Sequence, residues 1–215
     1  MIKAVIFDMD GVLIDTEKHY NAAWCEAARM AGFVEFKREH ALMLRSCDAR
    51  LASGMMKDIF GESFDYFAIR EVRRRLVAER LEKYGLEKKP GIDEILAFLH
   101  ERGIKAAVAT ATPLELTLQH LEKIGVKDQF DRIVSAKQVE HGKPAPDVYL
   151  YACEQISERP SDCIAVEDSP NGIRSAYAAG CKPVMVPDLT QPDEEIKPLL
   201  YRKADSLADI RRFID

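Results

Sequence analysis

The chain has 215 residues, 47% hydrophobic and 31% charged, which suits a soluble protein with one core of ordinary size and a small second module. Its net charge of −5, with no lysine or arginine block dominating a face, argues against a nucleic-acid partner, and no apolar stretch is long enough to imply a membrane partner. Five scattered cysteines without CxxC spacing speak against a disulfide framework and for a reducing, cytoplasmic setting.

In chain order, Ile2 to Phe7 reads as a strand that meets Asp8 and Asp10 at once, not as a signal peptide. From Thr16 to Lys89 the pattern is helix after helix. Glu17 to Ala31 carries Ala23, Trp24, Ala27, Ala28 and Ala31 at helical spacing and stops at Gly32. Glu39–Leu44, Asp48–Phe60 and Asp65–Tyr84 follow, the last two stopped by Gly61 and Gly85. From Pro90 onward strands and helices alternate. Helices are expected at Asp93–Arg102, Leu114–Ile124, Asp147–Ile156, Gly172–Ala179 and Leu207–Ile214, and strands at Lys105–Thr110, Arg132–Ala136, Ile164–Val166 and Pro183–Val186. The strands are continuous apolar runs separated by helices, which is the signature of a parallel sheet covered on both faces. The expected fold is α/β: a doubly wound, Rossmann-like core (1–15 and 90–215) with an all-helical insertion (16–89) after the first strand.

An open parallel sheet binds ligands beyond the carboxyl ends of its strands. The first strand delivers Asp8, Asp10 and Gly11 there, in FDMDG, and the second delivers Thr110, in ATAT. A loop after the third brings Lys143, in HGKPAP, and the fourth brings Glu167 and Asp168, in EDSPNG. Taken singly, Asp-Gly is a turn signal, Thr110 a strand end, Lys143 a solvated loop residue and Glu167-Asp168 a helix cap. Taken together, four carboxylates, a hydroxyl and an ammonium at one sheet edge suit a phosphate and a hard divalent cation.

These motifs resemble those of the haloacid dehalogenase superfamily, subfamily I, near its β-phosphoglucomutase and small-molecule phosphatase branch. FDMDGVLIDTE is similar to the first motif, Thr110 stands at the second, Lys143 at the third and Glu167-Asp168 at the fourth. The resemblance covers essentially the whole chain and implies a Mg²⁺-dependent enzyme acting on a small phosphomonoester. Asp8 would be the nucleophile and Asp10 the general acid and base. Gly11 would permit the tight turn, while Thr110 and Lys143 would hold the phosphoryl group, with Ala111 and Thr112 as further contacts. Mg²⁺ would be held by Asp8, the Asp10 carbonyl and Asp168, with Glu167 ligating directly or from behind. Asn171 would orient the acidic loop or cap a helix. Trp24 is read as a buried anchor before a stacking platform, and Arg73-Arg74-Arg75 as a solvated face from which one arginine points at an anionic substrate.

The leading expectation is a phosphatase, working as a monomer. The alternatives are a β-phosphoglucomutase-type mutase and a silent binding protein on the same fold. Against the mutase stand three departures. The histidine that such mutases carry in the first cap helix is replaced by Tyr20, with His19 one place early and so rotated by about 100°. Their Lys-Asn pair after the second motif is here Pro113 and Leu114. Of their basic loop residues Arg45 fits, while Arg50 is one place off.

Overall fold

A computed structural model describes residues 1–214. Six parallel strands form one sheet in the order β3-β2-β1-β4-β5-β6. They are β1 (Ala4–Phe7), β2 (Lys105–Thr110), β3 (Arg132–Ser135), β4 (Cys163–Glu167), β5 (Lys182–Met185) and β6 (Arg202–Lys203). Both faces of β1 are buried: Val5 and Phe7 enter one core, Ala4 and Ile6 the other. That is why its sequence shows no polar alternation. The first core is covered by α5 (Ile92–Glu101), α6 (Leu114–Lys123) and the C-terminal Leu207–Phe213 turn. The second is covered by α7 (Asp147–Gln155) and α8 (Pro170–Ala178). The chain winds outward from β1 through β2 to β3, then returns to β4 on the other side of β1. The crevice of such a sheet opens at this reversal.

Between β1 and α5 lie the helices α1 (Glu17–Met30), α2 (Arg38–Met43), α3 (Ala49–Phe60) and α4 (Tyr66–Tyr84). They share a core of their own, with Trp24, Phe36, Met56, Phe64 and Ile69 among its members. Two segments join this unit to the sheet and pair with each other: Asp15 N–H donates to Glu87 O (2.9 Å), and Lys89 N–H donates to Leu13 O (3.0 Å). Lys18 and Lys89 both bond Asp15 at the same place (2.6 and 3.1 Å).

The structure departs from the sequence reading in detail. Strand β1 starts at Ala4, and α8 starts at Pro170, where a proline is favoured in the first turn. The tail is a 3₁₀ helix (Leu207–Phe213), not an α-helix. Its buried Leu207 and Ile210 are three apart, the spacing that a three-residue turn stacks on one face. Strand β6 was not expected, because both its residues are charged and exposed and carry no apolar signal.

Candidate active site

Strand β1 sets the first residue. The Asp8 N–H donates to Val166 O (2.9 Å), so pairing with β4 continues one residue past the strand and directs the Asp8 side chain over the sheet edge. Asp8 Oδ1 accepts from Lys143 Nζ (2.7 Å). That ammonium also donates to Ala109 O (3.0 Å), at the end of β2, and to Glu167 Oε1 (2.6 Å), at the end of β4. Lys143 therefore ties three strand ends together while fully buried. Burial by itself would lower its pKa, but the Asp8 and Glu167 carboxylates outweigh it and hold the ammonium above its ordinary value. Burial raises the Asp8 pKa, Lys143 opposes this, and Glu167 and Asp10 push it further up.

Glycine is required twice. Gly11 has φ +80°, and a Cβ there would collide with the Asp168 carboxylate. At Gly172 a Cβ would collide with the Glu167 carboxyl. Both acidic side chains are thus seated against bare backbone.

Asp10 is held differently from Asp8. Its Oδ1 accepts from Thr16 (2.6 Å) and its Oδ2 from Thr112 (2.7 Å). Thr16 stands at the N-terminus of α1 without capping it, its hydroxyl being committed to Asp10. Thr112, expected at the phosphate, has its hydroxyl committed in the same way, while its N–H donates to the buried Thr110 Oγ1 (3.1 Å). Thr110, Ala111 and Thr112 all line the cavity above Asp8.

The carboxylates of Asp8, Glu167 and Asp168 offer oxygens within 4.8 Å of one another. Asp8 Oδ2 and Asp168 Oδ1 are buried and lack hydrogen-bond partners. Two such oxygens fit a divalent cation, because unpaired anionic oxygens are costly away from water. The Glu167 oxygens are already taken, by Lys143, Tyr149 (2.7 Å), Asp168 N–H (3.3 Å) and Ser169 (3.4 Å). Glu167 thus orients Lys143. The Asp10 side chain is not in the cluster, in keeping with its expected use of the main-chain carbonyl.

Asn171 neither caps α8, which Ser169 does (3.1 Å), nor holds the acidic loop; it donates to Met43 O (3.2 Å) and Arg45 O (2.9 Å) in the insertion. The buried Arg45 covers Asp168, bonding its carboxylate and carbonyl, and reaches Glu17 (3.3 Å) and Thr190 (3.0 Å). Arg50 is exposed and bonds Glu140 O (3.0 Å). His19 stacks on Tyr84 (5.9 Å between centroids), while Tyr20 lines the cavity. Trp24 is buried, as expected, and also lines the cavity. Arg74 and Arg75 are exposed, as read, and Arg73 is the arginine of the run that turns into the cavity wall, with Arg74 at its rim.

Sequence reasoning gave no role to Glu17, although it closes the first motif. Glu17 is buried in the cavity wall, and its pKa is pushed up to about 7 by burial, against the pull of Arg45. Tyr149 and His120 also went unnoticed, because nothing in their local pattern separates them from core residues. The cavity bounded by these groups and by α1 and α4 measures about 560 Å³, within the ~300–1,000 Å³ of small-molecule sites. No helix among the described residues is long and apolar enough to cross a membrane.

Comparison with known proteins agrees with this geometry. Residues 5–186 match the haloacid dehalogenase-like hydrolase family. A phosphorylated carbohydrates phosphatase of Thermotoga maritima is 32% identical over 182 residues, covering 83% of this chain and 82% of its own. Hexitol phosphatase B of Escherichia coli is 30% identical over 190 residues, covering 86% and 84%. The structure of β-phosphoglucomutase from Clostridium difficile has the same fold, with TM-score 0.81, 22% identity and coverage of 98% and 93%. The chain belongs to the haloacid dehalogenase-like hydrolase family and is an enzyme of its phosphoric monoester hydrolase branch.

Proposed function

We propose that the chain is a Mg²⁺-dependent phosphatase that hydrolyses a small phosphorylated metabolite through an aspartyl-phosphate on Asp8. The observation that carries this is the Asp8–Lys143–Glu167 arrangement at the floor of the cavity, with one Asp8 oxygen bonded and the other free. A carboxylate oxygen of Asp8 attacks phosphorus and the bond to the leaving oxygen breaks. Asp10, fixed by Thr16 and Thr112, gives that oxygen a proton. It then takes a proton from the water that attacks the aspartyl-phosphate, releasing inorganic phosphate and restoring Asp8. Thr110 and the Ala111 N–H hold phosphoryl oxygens, and Lys143 balances their charge. Asp8, the Asp10 carbonyl and Asp168 would hold a magnesium ion, which would supply the positive charge that a carboxylate needs to approach a phosphate dianion.

The helical insertion (16–89) acts as a cap over the core (1–15 and 90–215), hinged where the two joining segments pair, and its closure excludes bulk water. The site is complete within one chain, which supports a monomer. Five cysteines free of disulfides support a reducing, cytoplasmic setting.

Hydrolysis is favoured over the mutase because His19 is turned onto Tyr84 and Tyr20 takes its place in the cavity. Pro113, also in the lining, offers no polar group to a sugar. A coupled assay for glucose 6-phosphate from β-glucose 1-phosphate, run beside phosphate detection, tests this. Phosphate release should dominate; faster glucose 6-phosphate formation would restore the mutase.

A further inference from the structure

We propose that the substrate carries a second anionic group at the end remote from the reacting phosphate, and that Arg73 and Arg70 of α4 bind it. This rests on the phosphatase reading above and names its substrate class. Arg73 lies on the helical wall of the cavity, with its guanidinium 4.8 Å from the Tyr20 ring centroid and 5.0 Å from that of Trp24. Its Nε is buried and has no hydrogen-bond partner. In a chain of net charge −5, carboxylates are plentiful, and neighbours on the same helix use them: Arg74 pairs with Glu71 (2.9 Å) and Arg80 with Glu26 (2.7 Å). Arg73 and Arg70 both line the cavity, and neither pairs with a carboxylate among the described residues.

Stacking on two rings stabilises the face of a guanidinium and uses none of its N–H groups. The planar edge stays free, and its fork matches a carboxylate or a phosphate. The reacting phosphoryl group does not need this cation, since Lys143 already stands beside Asp8. Arg70 lies one turn before Arg73, so both project from one side of α4. Lys123, on α6 at the opposite rim, is a third cation in the lining without an ion pair. The cavity thus has a floor where Lys143, and a cation held by Asp8 and Asp168, would meet the reacting phosphoryl group, and a helical wall where Arg70 and Arg73 offer positive charge to a second anionic end.

Three six-carbon phosphates that differ in the far end provide the test: glucose 6-phosphate (neutral), 6-phosphogluconate (carboxylate) and fructose 1,6-bisphosphate (phosphate). Phosphate release by the full chain gives kcat/KM for each, and calorimetry on the Asp8→Asn chain gives affinities without turnover. At least one doubly anionic compound should exceed glucose 6-phosphate by about tenfold to a hundredfold, as expected of hydrogen bonds to charged groups. Which of the two does so identifies the group as carboxylate or phosphate. Arg73→Met should lower that ratio by about tenfold, and Arg73→Lys should restore part of it. If Arg73→Met does not fold, Arg73→Lys and Arg70→Met give the same comparison. A ratio near one in the unaltered chain, or an Arg73 substitution that weakens all three compounds alike, would overturn the inference and reduce Arg73 to a strut between α1 and α4. Phosphate release with no preference sinks this inference alone. A binding preference with no phosphate release sinks the phosphatase reading alone.

Discussion

The Tyr149 hydroxyl donates to Glu167 Oε1 at 2.7 Å, the same oxygen that accepts from Lys143 at 2.6 Å. Both residues are fully buried. Burial, and next to it the Glu167 charge, raises the Tyr149 pKa well above its ordinary value, so the phenol remains a donor. Tyr149 therefore sets where Glu167 sits, and Glu167 sets where the Lys143 ammonium meets Asp8. Tyr149→Phe should lower kcat by about tenfold with little change in KM, and cost about 1 kcal/mol of stability through the lost hydrogen bond. Steady-state kinetics beside a urea melt check this; an unchanged kcat would leave the hydroxyl a purely structural role.

Asp8→Asn replaces the attacking anion with a neutral isostere. Turnover should fall by several powers of ten while circular dichroism remains that of the parent. Retention of more than about a tenth of the phosphate release would remove Asp8 from the nucleophile's role.

Chelation should abolish activity and Mg²⁺ should restore it. Ca²⁺ prefers more ligands at longer distances, so it should substitute poorly or inhibit. The unpartnered oxygens of Asp8 and Asp168 are the reason. Full rates after exhaustive chelation, or equal rates with the two ions, would contradict the assignment.

Lys143→Met leaves Asp8 and Glu167 buried beside each other without their shared cation. The expected loss is nearly all activity and roughly 3–5 kcal/mol of stability, the usual cost of breaking a buried ion pair from one side. Adding Glu167→Gln should recover part of the stability and none of the activity. Urea midpoints of the two variants decide it, and equal midpoints would mean that Glu167 carries no uncompensated charge.

Asp15 offers a pH test away from the chemistry. Burial would raise its pKa, but the hydrogen bonds from Lys18 and Lys89 outweigh it and leave the pKa lowered. A carboxyl lowered in the folded state stabilises the protein above its unfolded pKa, and this contribution is lost as pH falls through the folded value. Asp15→Asn should thus cost up to about 1 kcal/mol at neutral pH, and the difference should close below the ordinary carboxylate range. Parallel melts across pH measure it; a gap that persists in acid would point to packing.

Much of this protein was legible in its sequence because the relevant physics is local. Apolar runs broken by helices announce a doubly covered parallel sheet, and strand ends in such a sheet converge on one edge. Asp8, Lys143, Glu167 and Asp168 could therefore be gathered before any coordinates, and Gly11 with them. Side-chain commitments at long separation could not be read this way. Which hydroxyls hold Asp10, that Tyr149 reaches Glu167 across the second core, and that Asn171 reaches the insertion all depend on how α1, α7 and the α2–α3 loop pack. The tail missed its class because buried residues three apart satisfy a 3₁₀ turn as well as an α-helix. That Arg73 is the arginine of its run to turn inward could not be read, since α4 has little amphipathic pattern to orient it. Its place over Tyr20 and Trp24 is set by the packing of α4 on α1, which only the tertiary structure decides.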